Sequence, residues 1–419
     1  RPTSVDAGVG DDSVDTSTIA AGVTVTTTLG EGADSYTGGA GNDQVSAGAG
    51  ADTVTTGAGD DDVDSGSAGV PNPDKIDLGV GDDTLRWHGV QTPAGSVDFG
   101  DGSNTLVDSD GGVVKINATT RVLERNAVVA LRWQGNVRTY VVESTATSVT
   151  FSGTKDAETF VLRDPATGAT PTTATVDMAG GDDTMTIRSN VLDGSSWNGG
   201  DGRDLFQVAY DYKEMLLDLR SGQFETGTPD VTADQRVSNV EDVDAVTATV
   251  TVKGNDVGNV LTLQGCSLTA VGRAGTDTVA VGVDIEDAPA LTCTGNKLVA
   301  RGGKDADTIT GTVGADRLFG NKGEDVIFAL AGNDVIFGGD DNDRVRGNAG
   351  NDKVRGSKGD DELAGNSGND RVQGDQGNDR LLAQSGNDVL VGGLGFDRAN
   401  GGKGFDKAFT VERRRNIER

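Results

Sequence analysis

Between Gly302 and Phe409 one nine-residue phrase is repeated twelve times without a break, and no other feature of the chain restricts its fold as much. The phrase reads G-G-x-G-x-D-x-U-x, with U a large aliphatic residue. It opens at Gly302 to Thr310 and closes at Gly401 to Phe409. The sixth position never varies: Asp307, Asp316, Asp325, Asp334, Asp343, Asp352, Asp361, Asp370, Asp379, Asp388, Asp397 and Asp406. The eighth runs Ile309, Leu318, Ile327, Ile336, Val345, Val354, Leu363, Val372, Leu381 and Leu390, then shrinks to Ala399 and Ala408. Glycines at the first, second and fourth positions allow the positive φ angles of a tight turn, and x-U-x is a short strand with U pointing inward. Two phrases then close one flat turn of a coil, and the same side is revisited every eighteen residues.

That geometry stacks Asp307 on Asp325 and Asp316 on Asp334 at a rung spacing of roughly 4.8 Å. Carboxylates this close repel by about 3 kcal/mol at an effective dielectric of about 20, so positive charge is required between them. Hard carboxylate and carbonyl oxygens, with no sulfur or imidazole nearby, select calcium over zinc or copper. The tract resembles the repeats-in-toxin (RTX) parallel β-roll, whose nonapeptide is a repeat signature. The resemblance implies that each six-residue turn binds calcium through its Asp carboxylate and turn carbonyls, and that the roll takes up many ions. Asp305 and Asp341 depart from the fourth-position glycine, Ala329-Leu330 and Ala383-Gln384 from the opening glycines, and Phe396 and Phe405 from a usually polar fifth position. Sites beside these departures are expected to be the weaker ones.

Residues 1–111 repeat the phrase less strictly and are read as an N-terminal RTX-like β-roll. Ala7 to Asp15 is one copy, with Asp12. Leu29 to Asp64 holds four, with Asp34, Asp43, Asp52 and Asp61 in the acidic position and Tyr36, Val45, Val54 and Val63 inward. Ser65 to Asp77 keeps Asp74 and Ile76 but carries extra residues around Pro71-Asn72-Pro73, a loop pushed out of the coil. Leu78 to Arg86 returns to register with Asp83, while Phe99 to Val107 offers Asn104 in place of the acid, a site expected to be weak or empty.

Across 112–301 β-branched alternation replaces glycine: Val113 to Ile116, Arg138 to Val142, Ser148 to Phe151 and Val246 to Val252 read as strands. Isolated phrases persist around Asp183, Asp204 and Asp277, so this β-rich region reads as the same solenoid with fewer calcium turns. Residues 302–409 form the regular twelve-repeat roll and 410–419 a cap or tail. Val122-Leu123-Glu124, Asn239-Val240-Glu241 and Asn416-Ile417-Glu418 suggest a recurring strand that closes units.

The fold expected is therefore all-β, a parallel β-roll or β-solenoid. Sixty-four glycines, 4% aromatic residues and a net charge of −30 exclude a thick globular core and argue against partners such as nucleic acid or an anionic membrane. No apolar run is long enough for a membrane span. No leader precedes Arg1, so either one has been removed or the chain is an excised segment. His88 is the only histidine, and G-x-S-x-G, H-E-x-x-H and C-x-x-C are all missing, so no enzymatic activity is expected. Cys266 and Cys293, the only cysteines, form a disulfide in an extracellular calcium-binding chain; two inward free thiols are the alternative.

These readings converge on a secreted, extracellular or cell-surface structural protein that becomes rigid on binding calcium and can self-associate into a surface array or filament. The alternative is a calcium-folded carrier or secretion segment of an RTX enzyme, toxin or adhesin whose active domain lies outside this chain.

Overall fold

The structure is a computed structural model, and it describes residues 3–66, 71–143, 146–163, 172–191, 194–209, 214–227, 235–282, 285, 291, 293 and 295–417. Every regular element among them is a β-strand. The chain divides into two compact units, Arg1–Asp204 and Leu205–Arg419, and each is a parallel β-solenoid.

In the first unit one sheet stacks Thr3–Asp6, Val25–Gly32, Asp43–Gly50, Asp62–Asp64, Thr84–Trp87, Asn104–Asp108, Val137–Glu143, Thr159–Arg163 and Thr184–Arg188, all parallel. The opposite sheet begins the same way, from Ser13–Asp15 to Ser96–Asp98. It then departs from the all-parallel expectation. Val128–Gln134, Val122–Arg125 and Gly112–Asn117 form an antiparallel meander before parallel stacking resumes at Ala146–Ser152. Arg121, Asn126 and Ala127, with φ of 55°, 51° and 62°, turn its two hairpins. Arg125 anchors the meander: its guanidinium donates to Trp87 O at 2.7 Å, Gly89 O at 2.6 Å and Asp108 Oδ1 at 2.5 Å.

The second unit follows the same plan. One sheet runs from Leu205–Ala209 through Asp242–Val246, Val260–Gln264 and Thr278–Val281 into the repeats. The other runs from Glu214–Asp218 through Thr249–Lys253, Ser267–Arg273 and Lys297–Gly303. Val246 to Val252, read as one strand, is two: the chain bends at Thr247-Ala248 and the halves lie in opposite sheets. Gln223–Thr226 forms a second antiparallel meander, between Glu214–Asp218 and Gln235–Ser238. Of the three expected closing strands only Val122-Leu123-Glu124 lies in one; Asn239 and Asn416 adopt φ near 50° and break the extended backbone, and Glu418 lies outside the described residues.

Inward packing differs along each unit. A C-terminal phrase buries one U side chain per strand, such as Ile327 or Leu363. Strands of the 112–301 stretch bury two, such as Phe160 with Leu162 and Met185 with Ile187, and carry an aromatic stack in which Tyr140 and Phe160 lie 4.9 Å and 5.0 Å from Phe151. Those rungs gain roughly twice the apolar burial per residue ordered.

Candidate metal centre

The eighteen-residue return places the twelve Asp side chains inside the turns, each at most 3% exposed. One oxygen of each is accounted for. The backbone N–H of Asp307 donates to Asp325 Oδ1 at 2.8 Å, Asp316 to Asp334 at 2.8 Å, Asp325 to Asp343 at 2.9 Å, and so on to Asp388 and Asp406 at 2.9 Å. The first unit has the same ladder: Asp12 to Asp34, Asp34 to Asp52 and Asp52 to Asp74 on one side, Asp43 to Asp61 and Asp61 to Asp83 on the other. Asp183 donates to Asp204 Oδ1 at 2.9 Å, and Asp277 to Asp307 Oδ1 at 2.8 Å.

The other oxygen is the informative one. Asp Oδ2 is buried without a hydrogen-bond partner at Asp12, Asp34, Asp43, Asp52, Asp61, Asp83, Asp183 and Asp277, and at every C-terminal repeat except Asp316. It faces the first residue of its own phrase. The position where a methyl group on Gly320 would stand is 2.1 Å from Asp325 Oδ2 and 2.6 Å from Gly338 O of the next rung; at Gly272 the values are 2.1 Å to Asp277 Oδ2 and 2.5 Å to Gly302 O. Two acceptor oxygens of successive rungs thus meet around one point with no donor between them. Asp334 and Asp388, preceded by Ala329 and Ala383, keep the same orphaned oxygen, as do Asp307, Asp343, Asp397 and Asp406 beside the other departures.

Burial therefore works against ionisation, and in most turns neighbouring carboxylates add to it. Asp307 and Asp343 are pushed up to about 8, Asp83, Asp183, Asp325, Asp334, Asp361 and Asp370 to about 7, and Asp74, Asp277, Asp379 and Asp388 to about 6. Asp43, Asp52, Asp61, Asp316, Asp352 and Asp397 are raised for the same first reason. A buried anion this disfavoured calls for a bound cation, and the donor set of carboxylate plus backbone carbonyl oxygens fits calcium. Among the described residues no three His, Cys, Asp or Glu side chains converge, so a site uses the carboxylates of the ladder together with turn carbonyls. Calcium there supplies the positive charge and takes the place of the missing donor.

Two rungs of the ladder were not recognised in the sequence. Glu158, in Gly153-Thr154-Lys155-Asp156-Ala157-Glu158, and Asn259, in Gly254-Asn255-Asp256-Val257-Gly258-Asn259, occupy the sixth position, their N–H groups donating to Asp183 and Asp277 Oδ1 at 2.7 and 2.8 Å. The signal was the glycine or threonine opening with a β-branched or aromatic strand behind it. The fifth position carries an outer ladder: Asn351, Asn369 and Asn387 donate to Asn333, Asn351 and Asn369 Oδ1 at 2.7 to 2.8 Å. Phe396 and Phe405 end both outer ladders, since they donate to Asn378 and Asn387 but offer no acceptor in turn.

Elsewhere, His88 is gripped by Asp110 at 2.7 Å and faces Asp64 at 3.5 Å; those two carboxylates push it up to about 9. Cys266 and Cys293 are joined, with Cα atoms 5.2 Å apart.

A parallel solenoid whose turns present a ladder of buried, donor-starved carboxylates defines the class: a calcium-binding β-roll. The model of the RTX calcium-binding nonapeptide repeat (4 copies) matches residues 28–66, 301–336, 337–372, 364–399 and 373–408, and these repeats together with the solenoid fit an RTX β-roll protein. No curated protein matches the chain.

Proposed function

We propose that this is a secreted, cell-surface or structural protein whose β-roll folds and stiffens as calcium binds, which self-associates into a surface array or filament, and which is not an enzyme. The observation that carries the reading is the orphaned Oδ2 repeated along both faces of the 302–409 tract. A phrase that buries one aliphatic side chain and leaves a buried carboxylate oxygen unpaired has little to hold it without a cation. Cation binding is then folding free energy. Chains with such repeats are typically secreted, which supports the location. The non-catalytic reading is supported by His88, which its two carboxylates keep protonated at neutral pH and unable to accept a proton.

The test is hydrogen exchange of the whole chain in calcium and in excess chelator. Peptides from 302–409 are expected to lose protection in chelator, while those from 137–163 keep most of theirs. Equal protection of 302–409 in both conditions would overturn the folding switch. Sedimentation with and without calcium tests assembly.

A further inference from the structure

The rungs are not alike, and the differences decide which can take a cation. In the C-terminal phrases the second residue is left-handed: Asn321, Leu330, Asn348, Ser357, Asn366, Asp375 and Gln384 have φ between 73° and 99°, and Gly303, Gly339, Gly393 and Gly402 between 98° and 139°. Thr312 is the exception. A β-branched residue is strongly disfavoured at positive φ by its own side chain. The turn at Thr312 is reversed, and its N–H donates to Asp316 Oδ2 at 2.5 Å while its hydroxyl donates to Oδ1 at 2.9 Å. Thr154 does the same for Glu158: its N–H donates to Oε2 at 2.8 Å and its hydroxyl bonds Oε1. Asn255, also outside the left-handed region, donates to Asn259 Oδ1 at 2.9 Å.

Asparagine at the sixth position closes a rung by a second route. Asn104 Nδ2 donates to Phe99 O of its own phrase at 3.0 Å and to Asn136 O of the next rung at 2.8 Å. Asn259 Nδ2 reaches Glu241 O at 2.7 Å. At Asn104 the amide nitrogen stands where the Asp rungs have an unpaired oxygen; at Asn259 that place is taken by Oδ1, which accepts from Asn255 N, while Nδ2 ties the side chain to the previous rung.

We propose that the rungs of Asn104, Glu158, Asn259 and Asp316 are closed by their own hydrogen bonds and take no calcium, and that within the 302–409 phrases occupancy is selected by a left-handed second residue combined with Asp at the sixth position. The selectivity rests on the calcium reading above, and it removes Asp316 from the set of ligands that the repeat pattern implies. The second position is thereby a specificity-determining position that the consensus leaves variable.

The experiment counts calcium bound to the whole chain by native mass spectrometry in parent, Thr312→Gly and Asn321→Thr. Thr312→Gly frees the turn to become left-handed and should bind more calcium than the parent. Asn321→Thr favours the closed turn on the Asp325 rung and should bind less. Hydrogen exchange in saturating calcium, over peptides containing 308–328, shows that each variant is folded. Should Asn321→Thr not fold, Asn348→Thr, which acts in the same way on the Asp352 rung, takes its place and should lower the count. Folded variants whose count equals that of the parent would overturn the selection rule. A parent that binds no calcium would instead remove the calcium reading itself, so the two failures are distinguishable.

Discussion

Replacing Asp183 by asparagine should stabilise its rung without calcium and weaken it with calcium. Asp183 Oδ1 accepts from Glu158 N at 2.7 Å, a bond the amide oxygen of asparagine retains. Oδ2 is buried, unpaired and carried by a carboxyl pushed up to about 7 by burial, with Asp204, Glu158 and Asp182 adding repulsion. An amide nitrogen in its place can donate to Met178 O, as Asn104 does to Phe99 O in the equivalent turn. Removing one orphaned acceptor is worth about 1 to 3 kcal/mol and the new hydrogen bond about 1 kcal/mol, so the local gain is about 2 to 4 kcal/mol. Asp183 is the right position for this test because its strand, Thr184–Arg188, buries both Met185 and Ile187 and should persist in chelator. Hydrogen exchange over that strand in chelator at pH 8 should slow by roughly 30- to 900-fold, since each tenfold corresponds to about 1.4 kcal/mol. The pH dependence supplies an internal check. A carboxyl whose folded value is raised from 3.8 to about 7 contributes stability that is fully present below pH 3.8 and lost as pH rises through 7. The advantage of asparagine should therefore fade by about pH 5, where the folded carboxyl carries its own proton. In saturating calcium the order reverses once the binding energy that only the parent gains exceeds this advantage, about 4.1 kcal/mol at a thousandfold excess over Kd. A variant less protected than the parent in chelator at pH 8 would refute the reasoning, since the orphaned oxygen would then have carried no penalty.

In chelator, the β signal of the whole chain in circular dichroism should rise as pH falls from 8 to 5, because Asp307, Asp343 and their neighbours, raised to between about 6 and 8, take up protons on folding; an unchanged signal would contradict this. Calcium affinity should fall over the same range, measurable by titration at each pH. Reducing Cys266–Cys293, 27 residues apart, should destabilise its surroundings by about 3 to 4 kcal/mol and speed exchange at 297–303 while leaving 353–409 unchanged. Phe319 and Phe337 stack with centroids 5.3 Å apart and planes 4° from parallel, capped by Arg301 over Phe319, so changing both to Thr should lower thermal stability modestly. Weaker sedimentation of the calcium-loaded double variant would further assign that column to a contact between copies.

The parallel roll was legible because its period is strict. A nine-residue phrase with one invariant acid and one aliphatic residue can satisfy burial and turn geometry only by coiling, and it sets both the eighteen-residue register and the identity of the stacked acids. What the sequence concealed depends on which way a peptide unit faces. That Asp Oδ1 would be held by the next rung's N–H and Oδ2 left bare follows from backbone positions, not residue types. The reversal at Thr312 does have a residue-level cause, but the substitution looks conservative in a phrase where the second position is already occupied by Asn, Ser, Asp, Gln or Leu. Glu158 and Asn259 were passed over because neither presents Asp in a glycine-rich frame, although both keep the register. The antiparallel meander around Arg125 was likewise hidden: its strands alternate as any parallel strand would, and only the left-handed residues at Arg121, Asn126 and Ala127 reverse the chain.

The closed rungs also have a consistent place within each unit. In the first, Asn104 and Glu158 follow the glycine-dense phrases and stand where rungs bury a second apolar side chain and the aromatic stack begins. In the second, Asn259 lies before the regular tract and Asp316 in its second phrase. Hydrogen-bond closure and apolar closure therefore occur in neighbouring rungs, and both are independent of a cation. Each unit then contains one segment able to hold its own register and another whose register depends on calcium. A rung that is already ordered presents a complete strand edge to the next phrase, so only that phrase's own entropy opposes its addition, and the costly nucleation of an isolated roll is avoided. Calcium-dependent folding on this arrangement should spread outward from the closed rungs. In a calcium titration followed by hydrogen exchange, protection at 326–346 should appear at lower calcium than protection at 398–409; the reverse order would show that the closed rungs do not act as the template.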